Sequence, residues 1–349
     1  MKMKSLVMGS AMAAVAASAW AQSTVTTFGV IDVGMSRYSV SGGQNKTGMS
    51  VDNHTSSRFG VRGSEDLGGG LSAMFWLESV VNAKTPNALA FDRRSVLGLT
   101  SRQWGTLLLG RDYTPGFNIT GAFGNPWNTN GAGKSLLWDA RASSYFGAGQ
   151  STSVRSSNAI NYFLPRGLGG VYGQFMYAPS EANQGKPGRY IGARLGYAKG
   201  PWDVSAAYNT VAGGVGRPVT APRDLRNLGL GVGYKFDFGR LSFLHINDEI
   251  ELATGDQKIR GYSLGMTIPV GTGELRGAYD LVKYDHPLSK AEAQKLSLGY
   301  VHHLSKRTSL YTTAAIVENK NGATFASGGV SGRANATARG FDLGIKHSF

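Results

Sequence analysis

Apolar and polar residues alternate along much of this chain, most cleanly in its last eleven residues, 339–349. Phe341, Leu343, Ile345, His347 and Phe349 fall on one face, and Gly340, Asp342, Gly344, Lys346 and Ser348 on the other. Period-two alternation marks a strand with one face in an apolar medium and one in water. The run is longer than the roughly five or six residues of an ordinary strand, and it ends on an aromatic, as a membrane-crossing strand anchored at an interface does. Comparable segments recur at 24–38, 57–65, 71–79, 91–100, 106–112, 156–164, 171–178, 190–199, 202–209, 226–236, 240–251, 259–268, 274–284, 293–302 and 309–318, which makes sixteen with the last. An even number of that size closes into a barrel with an open aqueous interior. The expected fold is all-β, a 16-stranded antiparallel transmembrane β-barrel.

The connections alternate in length. Glu65–Gly70, Ser101–Gly105, Pro165–Gly170, Lys199–Pro201, Asp237–Gly239, Pro269–Gly273 and His303–Arg307 are short and supply the Gly, Pro and Asx chemistry of tight turns. Between them run longer polar loops. Short turns at one end and long loops at the other are the habit of membrane barrels, which puts the turns in the periplasm and the loops outside. The third external loop, about 113–155, is long enough to need a reason, because structureless connections of that size are rare. It is expected to fold into the lumen and narrow it.

The N-terminus fits an exported chain. Lys2 and Lys4 precede an apolar run from Leu6 to Val15, and Ala19-Trp20-Ala21 is a small-x-small cleavage site. Residues 1–21 therefore read as a signal peptide to be removed, and 22–349 as one barrel domain. The apolar run is shorter than the roughly 20 residues of a spanning helix, and glycines or polar residues interrupt every later one. The chain has no cysteine, so hydrogen bonding and packing, not cross-links, must supply stability.

The charge is strongly basic, 36 Lys and Arg against 22 Asp and Glu, and +12 once the two lysines of residues 1–21 are removed. Basic chains raise the prospect of nucleic acid, but no helix-turn-helix, finger or RNA-binding signature occurs. A lumen that attracts anions accounts for the balance better. The six histidines lie in no nucleophile-elbow or zinc-protease motif, which argues against an enzyme at the barrel rim. No cofactor or metal is expected.

Several segments together resemble the general trimeric porins of Gram-negative outer membranes, specifically the β-proteobacterial branch. They are Phe28–Gly34, Ser57–Leu71, Gly105–Thr114, Asn158–Tyr162, Leu304–Tyr311 and Gly344–Phe349, so the likeness spans the chain from strand one to its end. The resemblance implies a homotrimer in outer-membrane lipid and lipopolysaccharide, a third loop folded into each pore, and passive diffusion of small hydrophilic solutes, often with anion preference. Basic residues matching Arg58, Arg94 and Arg155 line the narrowest part of the pore in that family.

Alternation independently turns these arginines inward. Phe59 and Val61 face out, so Arg58 and Arg62 face in; Leu97 and Leu99 face out, so Arg94 faces in; Ile160 and Tyr162 put Arg155 inside; and Ile191, Leu195 and Tyr197 put Arg194 inside. A cation on the lipid face at mid-membrane costs about 2–4 kcal/mol, so inward placement is also the cheaper one. From 113 to 155 the loop holds one acid, Asp139, against Lys134, Arg141 and Arg155. A basic constriction concentrates small anionic solutes and repels cations. Arg111 counts as a further lumen charge, though parity does not fix its direction at the strand end. Asp32, Glu78 and Asp112 are expected in the same region, pairing with arginines or cancelling part of their field. Leu108 and Trp76 depart from the family pattern, which favours polar residues there, and make the lumen locally more apolar. An alternative is a substrate-specific channel for organic acids, phosphate or sugars, for which Tyr113, Trp127, Trp138 and Tyr145 would be the aromatic track.

Overall fold

The computed structural model describes residues 23–85, 87–140, 154–180, 188–213, 224–251, 255–287 and 289–349. The proposed signal peptide, Arg141 and Tyr145 lie outside them. Seventeen strand segments form one closed antiparallel sheet. They are β1 Thr24–Val40, β2 Asn45–Val51, β3 Arg58–Gly68, β4 Leu71–Val80, β5 Arg94–Ser101, β6 Gly105–Tyr113, β7 Arg155–Phe163, β8 Val171–Ala178, β9 Tyr190–Lys199, β10 Trp202–Ala212, β11 Asp224–Phe236, β12 Gly239–Ile250, β13 Gln257–Val270, β14 Gly273–Asp285, β15 Glu292–His303, β16 Thr308–Lys320 and β17 Thr337–Ser348. Two of them share one edge of β1: β3 pairs with its first half and β2 with its second. The barrel therefore has sixteen staves, the second of them interrupted at 52–57.

β17 closes the barrel on β1, with Val30 opposite Ser348 through Val40 opposite Ala338. The backbones of Gly29 and Phe349 exchange hydrogen bonds of 3.0 and 3.1 Å at the seam. A Cβ on Gly29 would stand 2.3 Å from the Phe349 ring, so the glycine lets that terminal ring lie over the seam. Outward positions along the strands are exposed and apolar, as at Leu97, Leu109, Leu195, Leu298 and Leu343, while inward neighbours such as Asn161, Ser205, Ser263 and Asp280 are buried and polar. That inversion of the soluble-protein pattern is what a lipid-facing exterior demands. At the turn between β3 and β4, Gly68, Gly69 and Gly70 take φ of 84°, 60° and 78°, three consecutive left-handed residues that side chains would strain.

β2 was not legible as a strand; its residues NKTGMSV carry no clean alternation. The break after it turns on Asp52, at φ 62°, whose carboxylate accepts from Ser57 N at 2.7 Å. Backbone amides away from water must find acceptors, and here Asp32 Oδ2 takes both His54 N (2.8 Å) and Thr55 N (2.7 Å).

The long connection after β6 contains two helices, α1 Pro115–Phe123 and α2 Leu136–Ala140. Thr114 caps α1 by accepting from Phe117 N at 3.1 Å, and Pro115 sits at the first turn, where its missing N–H costs nothing. α1 packs against β8–β12 and α2 against β13–β15. Ile119, Phe123, Trp127, Leu136 and Leu137 are buried there.

Candidate functional site

β3, β4 and β5 pair in register so that Gly60 faces Glu78 and Glu78 faces Arg94. A bulge in the β6–β7 ladder between Gly110 and Asp112 then sets Asp112 opposite Ser156 and Tyr113 opposite Arg155. These registers gather the arginines into one connected wall. Arg58 Nε stands 3.9 Å from Glu78 Oε1, and Arg93 Nε donates to the same oxygen at 2.5 Å. Arg93 reaches on to the Tyr113 hydroxyl at 3.2 Å, and Arg155 donates to that hydroxyl at 3.1 Å. Arg94 lies 3.0 Å from Asp112 Oδ1 and donates to Oδ2 at 3.1 Å.

Asp112 also accepts from Asn161 Nδ2 (3.0 Å) and Tyr113 N (2.8 Å), so it is held from three directions. Arg155 lies over the Tyr113 ring, 4.6 Å from its centre, and the same ring stacks on Phe117 of α1 at 4.8 Å. Trp138 follows Phe117 at 5.2 Å. The aromatic run thus ties the basic wall to the helical connection.

Closer to the turn end the cations are backed differently. Arg62 lies over Trp76 at 5.0 Å and over Phe28 at 5.4 Å, and Arg94 covers Trp76 at 4.7 Å. Trp76, read from the sequence as an apolar departure, is a platform between two guanidinium groups. Arg194 lies 4.9 Å over Tyr172 and donates to its hydroxyl at 3.2 Å and to Ser205 Oγ at 3.1 Å. Neither Arg62 nor Arg194 has a carboxylate partner among the described residues. Cation–π contact of this kind holds a guanidinium flat without neutralising it.

Three sequence readings take a different form in the structure. Asp32 pairs with no arginine among the described residues: its oxygens accept from the backbone of His54 and Thr55 and from the Tyr311 hydroxyl. Arg111 stands in the bulge between Gly110 and Asp112, where parity does not carry, and it donates to Asp92 O (2.5 Å) and Ser157 Oγ (2.7 Å). Leu108 is 1 % exposed, so it packs rather than lining water. Arg93 was missed altogether. The expected strand 91–100 gave it the outward parity of Leu97 and Leu99, whereas β5 begins only at Arg94 and Arg93 stands in the bend before it.

The opposite wall holds buried carboxylates that serve the helical connection. Asp280 Oδ2 accepts from Leu136 N at 2.9 Å and Asn125 Nδ2 at 3.1 Å, and Asp342 Oδ2 from Ala132 N at 2.5 Å. Trp127 Nε1 donates to Thr313 Oγ1 at 2.9 Å. Lys295, 1 % exposed, stands opposite Asp280 in the ladder and donates to Lys134 O at 2.6 Å.

A sixteen-stave barrel, apolar outside and lined with charge within, defines a membrane channel. The Gram-negative porin family matches residues 9–322, and the chain belongs to that family. It is an outer-membrane porin, a channel and not an enzyme. It is 34% identical to outer membrane porin protein 32 of Delftia acidovorans, over 99% of this chain and 100% of that one. An outer membrane porin protein of Bordetella pertussis is 26% identical over 90% of this chain and 94% of its own. Among solved structures, the anion-selective porin from Comamonas acidovorans superposes with a TM-score of 0.85 at 32% identity, over 94% of this chain and 100% of that chain. The trimer form of OmpT from Vibrio cholerae shares the fold at 16% identity and a TM-score of 0.68, covering 94% and 99%.

Proposed function

We propose that this porin passes small anions in preference to cations, through a lumen narrowed by the connection that carries α1 and α2. The observation that carries the reading is an asymmetry in how charge is spent. Asp32, Asp280 and Asp342 are buried and accept from the chain's own N–H and O–H groups, whereas Arg62 and Arg194 keep their charge uncompensated against aromatic faces. Arg58, Arg94 and Arg155 form the basic side of the constriction, with Glu78 and Asp112 holding Arg93 and Arg94 in place. A fixed positive wall beside low-dielectric material raises the local anion concentration. The anion selectivity of the Comamonas acidovorans porin supports the same reading.

The test is the reversal potential of the purified protein in a planar bilayer across a KCl gradient. A potential of the sign for chloride preference is expected. Stepwise conductance with no preference, or with cation preference, would overturn the mechanism while leaving the channel.

Three copies associate through the outer faces of the first staves, where Met35 and Met49 are half-exposed, leaving the remaining perimeter to lipid and lipopolysaccharide. Unheated electrophoresis of the purified protein is expected to show a trimer. N-terminal sequencing is expected to begin at Gln22, after removal of residues 1–21.

A further inference from the structure

A second group of cations lines the lumen beyond the arginine wall. Residues 121–130 of the long connection face β1, β3, β14 and β17 across a space of about 400 Å³. Arg58, Arg276 and Lys346 reach that space from three staves, and His54 reaches it from the interruption at 52–57. No carboxylate is among the described residues that line it.

Lys346 shares the inward parity of Asp342 and stands between Asp32 and Ser309 in the ladders. It forms no ion pair among the described residues: the oxygens of Asp32, 0% exposed, are taken by His54 N, Thr55 N and the Tyr311 hydroxyl. Arg276 is held by Glu274, to which Nε donates at 2.7 Å, and its Nη1 reaches Pro126 O and His54 Nδ1, both at 3.3 Å. A guanidinium can only donate, so Nδ1 accepts and the ring proton sits on Nε2. No described residue accepts from Nε2. The ring itself is fixed, stacked on Tyr311 at 5.3 Å with the His54 backbone N–H on Asp32 at 2.8 Å. Arg58 donates to Ser56 O at 3.1 Å, and its side chain is 28% exposed.

We propose that these groups bind one phosphate dianion, free or as the monoester of a small solute. Lys346 and Arg58 supply the charge and His54 Nε2 a directed hydrogen bond, while Arg276 sets the tautomer that makes His54 a donor. The inference rests on the reading of a narrowed, anion-passing lumen, since that lumen is the path to the site. Chloride answers to the field alone, whereas donors fixed on three separate elements match the several oxygens of one oxyanion. A lysine with no acid partner, beside an arginine that shares Glu78 with Arg93, favours two negative charges over one. Release stays possible, because Glu78 and Glu274 offset part of the field and keep the station moderate, as a conducting lumen requires.

Chloride conductance of the folded protein in planar bilayers tests this, at about 0.1 M KCl where screening is modest. Inorganic phosphate and glycerol 3-phosphate are the probes, both dianions at about pH 8. Either should lower the conductance at millimolar concentration, where the same charge added as chloride does not. The tighter of the two shows whether free phosphate or an ester is the better occupant. Lys346→Gln should raise the half-blocking concentration about tenfold, as loss of one charge-assisted hydrogen bond does, and Lys346→Arg should not. His54→Phe keeps a ring on Tyr311 and removes the Nε2 donor, and should raise it several-fold. A parent channel that prefers chloride over potassium yet shows no phosphate block overturns the proposal, as does block unchanged in both Lys346→Gln and His54→Phe. Cation preference in the parent instead overturns the selectivity reading on which it rests.

Discussion

The two inner walls of this barrel use charge for opposite purposes. On β3–β7 the acids Glu78 and Asp112 hold arginines, and the guanidinium groups of Arg58, Arg94 and Arg155 stay partly open to solvent. On β13–β1 the acids Asp280, Asp342 and Asp32 are 0% exposed, and they hold backbone amides of segments 125–136 and 54–55. A carboxylate that accepts several N–H bonds is a structural clamp, and its charge is spent locally. One that meets a guanidinium reduces a field that solutes would feel. Counting acids and bases around a lumen therefore says little about selectivity until each acid's donors are known.

Removing a clamp should have the largest effect. Asp280→Ala leaves the amide of Leu136 and the Asn125 side chain without their acceptor and Lys295 buried beside a vanished charge. Loss of one member of a buried charged pair costs about 3–5 kcal/mol. Urea unfolding followed by tryptophan fluorescence should show destabilisation of that order, and single-channel conductance should rise as residues 125–136 come away from β14. An Asp280→Ala protein with parental stability and conductance would remove the distinction between the walls.

Removing an acid from the other wall should instead change selectivity. Glu78→Gln frees Arg93 and Arg58 from their shared oxygen and adds one positive charge to the wall. In a well-solvated lumen that is worth about 1 kcal/mol, so the chloride-to-potassium permeability ratio should increase several-fold. A decrease would mean that Glu78 matters mainly for positioning its arginines.

Arg62→Gln should lower anion preference by less than twofold in molar salt, and by more in dilute salt. The Debye length shortens from about 10 Å at 0.1 M to about 3 Å at 1 M, which screens a guanidinium flat against its platform of Trp76 and Phe28. Arg111→Gln should have the smallest effect on reversal potential, because its guanidinium is already held by Asp92 O and Ser157 Oγ at the bulge. A shift as large as that of Arg62→Gln would place Arg111 in the ion path after all.

Strand order, the sixteen staves, the closing terminus and the faces of Arg58, Arg62, Arg94 and Arg194 were legible in the sequence alone. Each depends on a local signal, period-two alternation between turns, which is set by strand geometry and a solvent boundary. Arg93 escaped because the expected strand 91–100 extended alternation over a bend that turns it to the other face, and β2 because its Lys, Asn and Gly-containing run has no alternation to read. The helices of the long connection escaped too, since α1 and α2 are short and gain their stability from packing against β8–β15.

What only the tertiary structure decided is which group satisfies which. Asp32 and Tyr311 are 279 positions apart, Asp280 and Asn125 are 155, and Arg93 and Tyr113 are 20. Barrel closure and the bulge between β6 and β7 bring these groups together, and nothing local announces either. The alternation fixes the side of the wall on which a charge stands. Only the assembled barrel determines whether that charge meets water, a guanidinium or a backbone amide, because partners are chosen by register across staves and not by spacing along the chain.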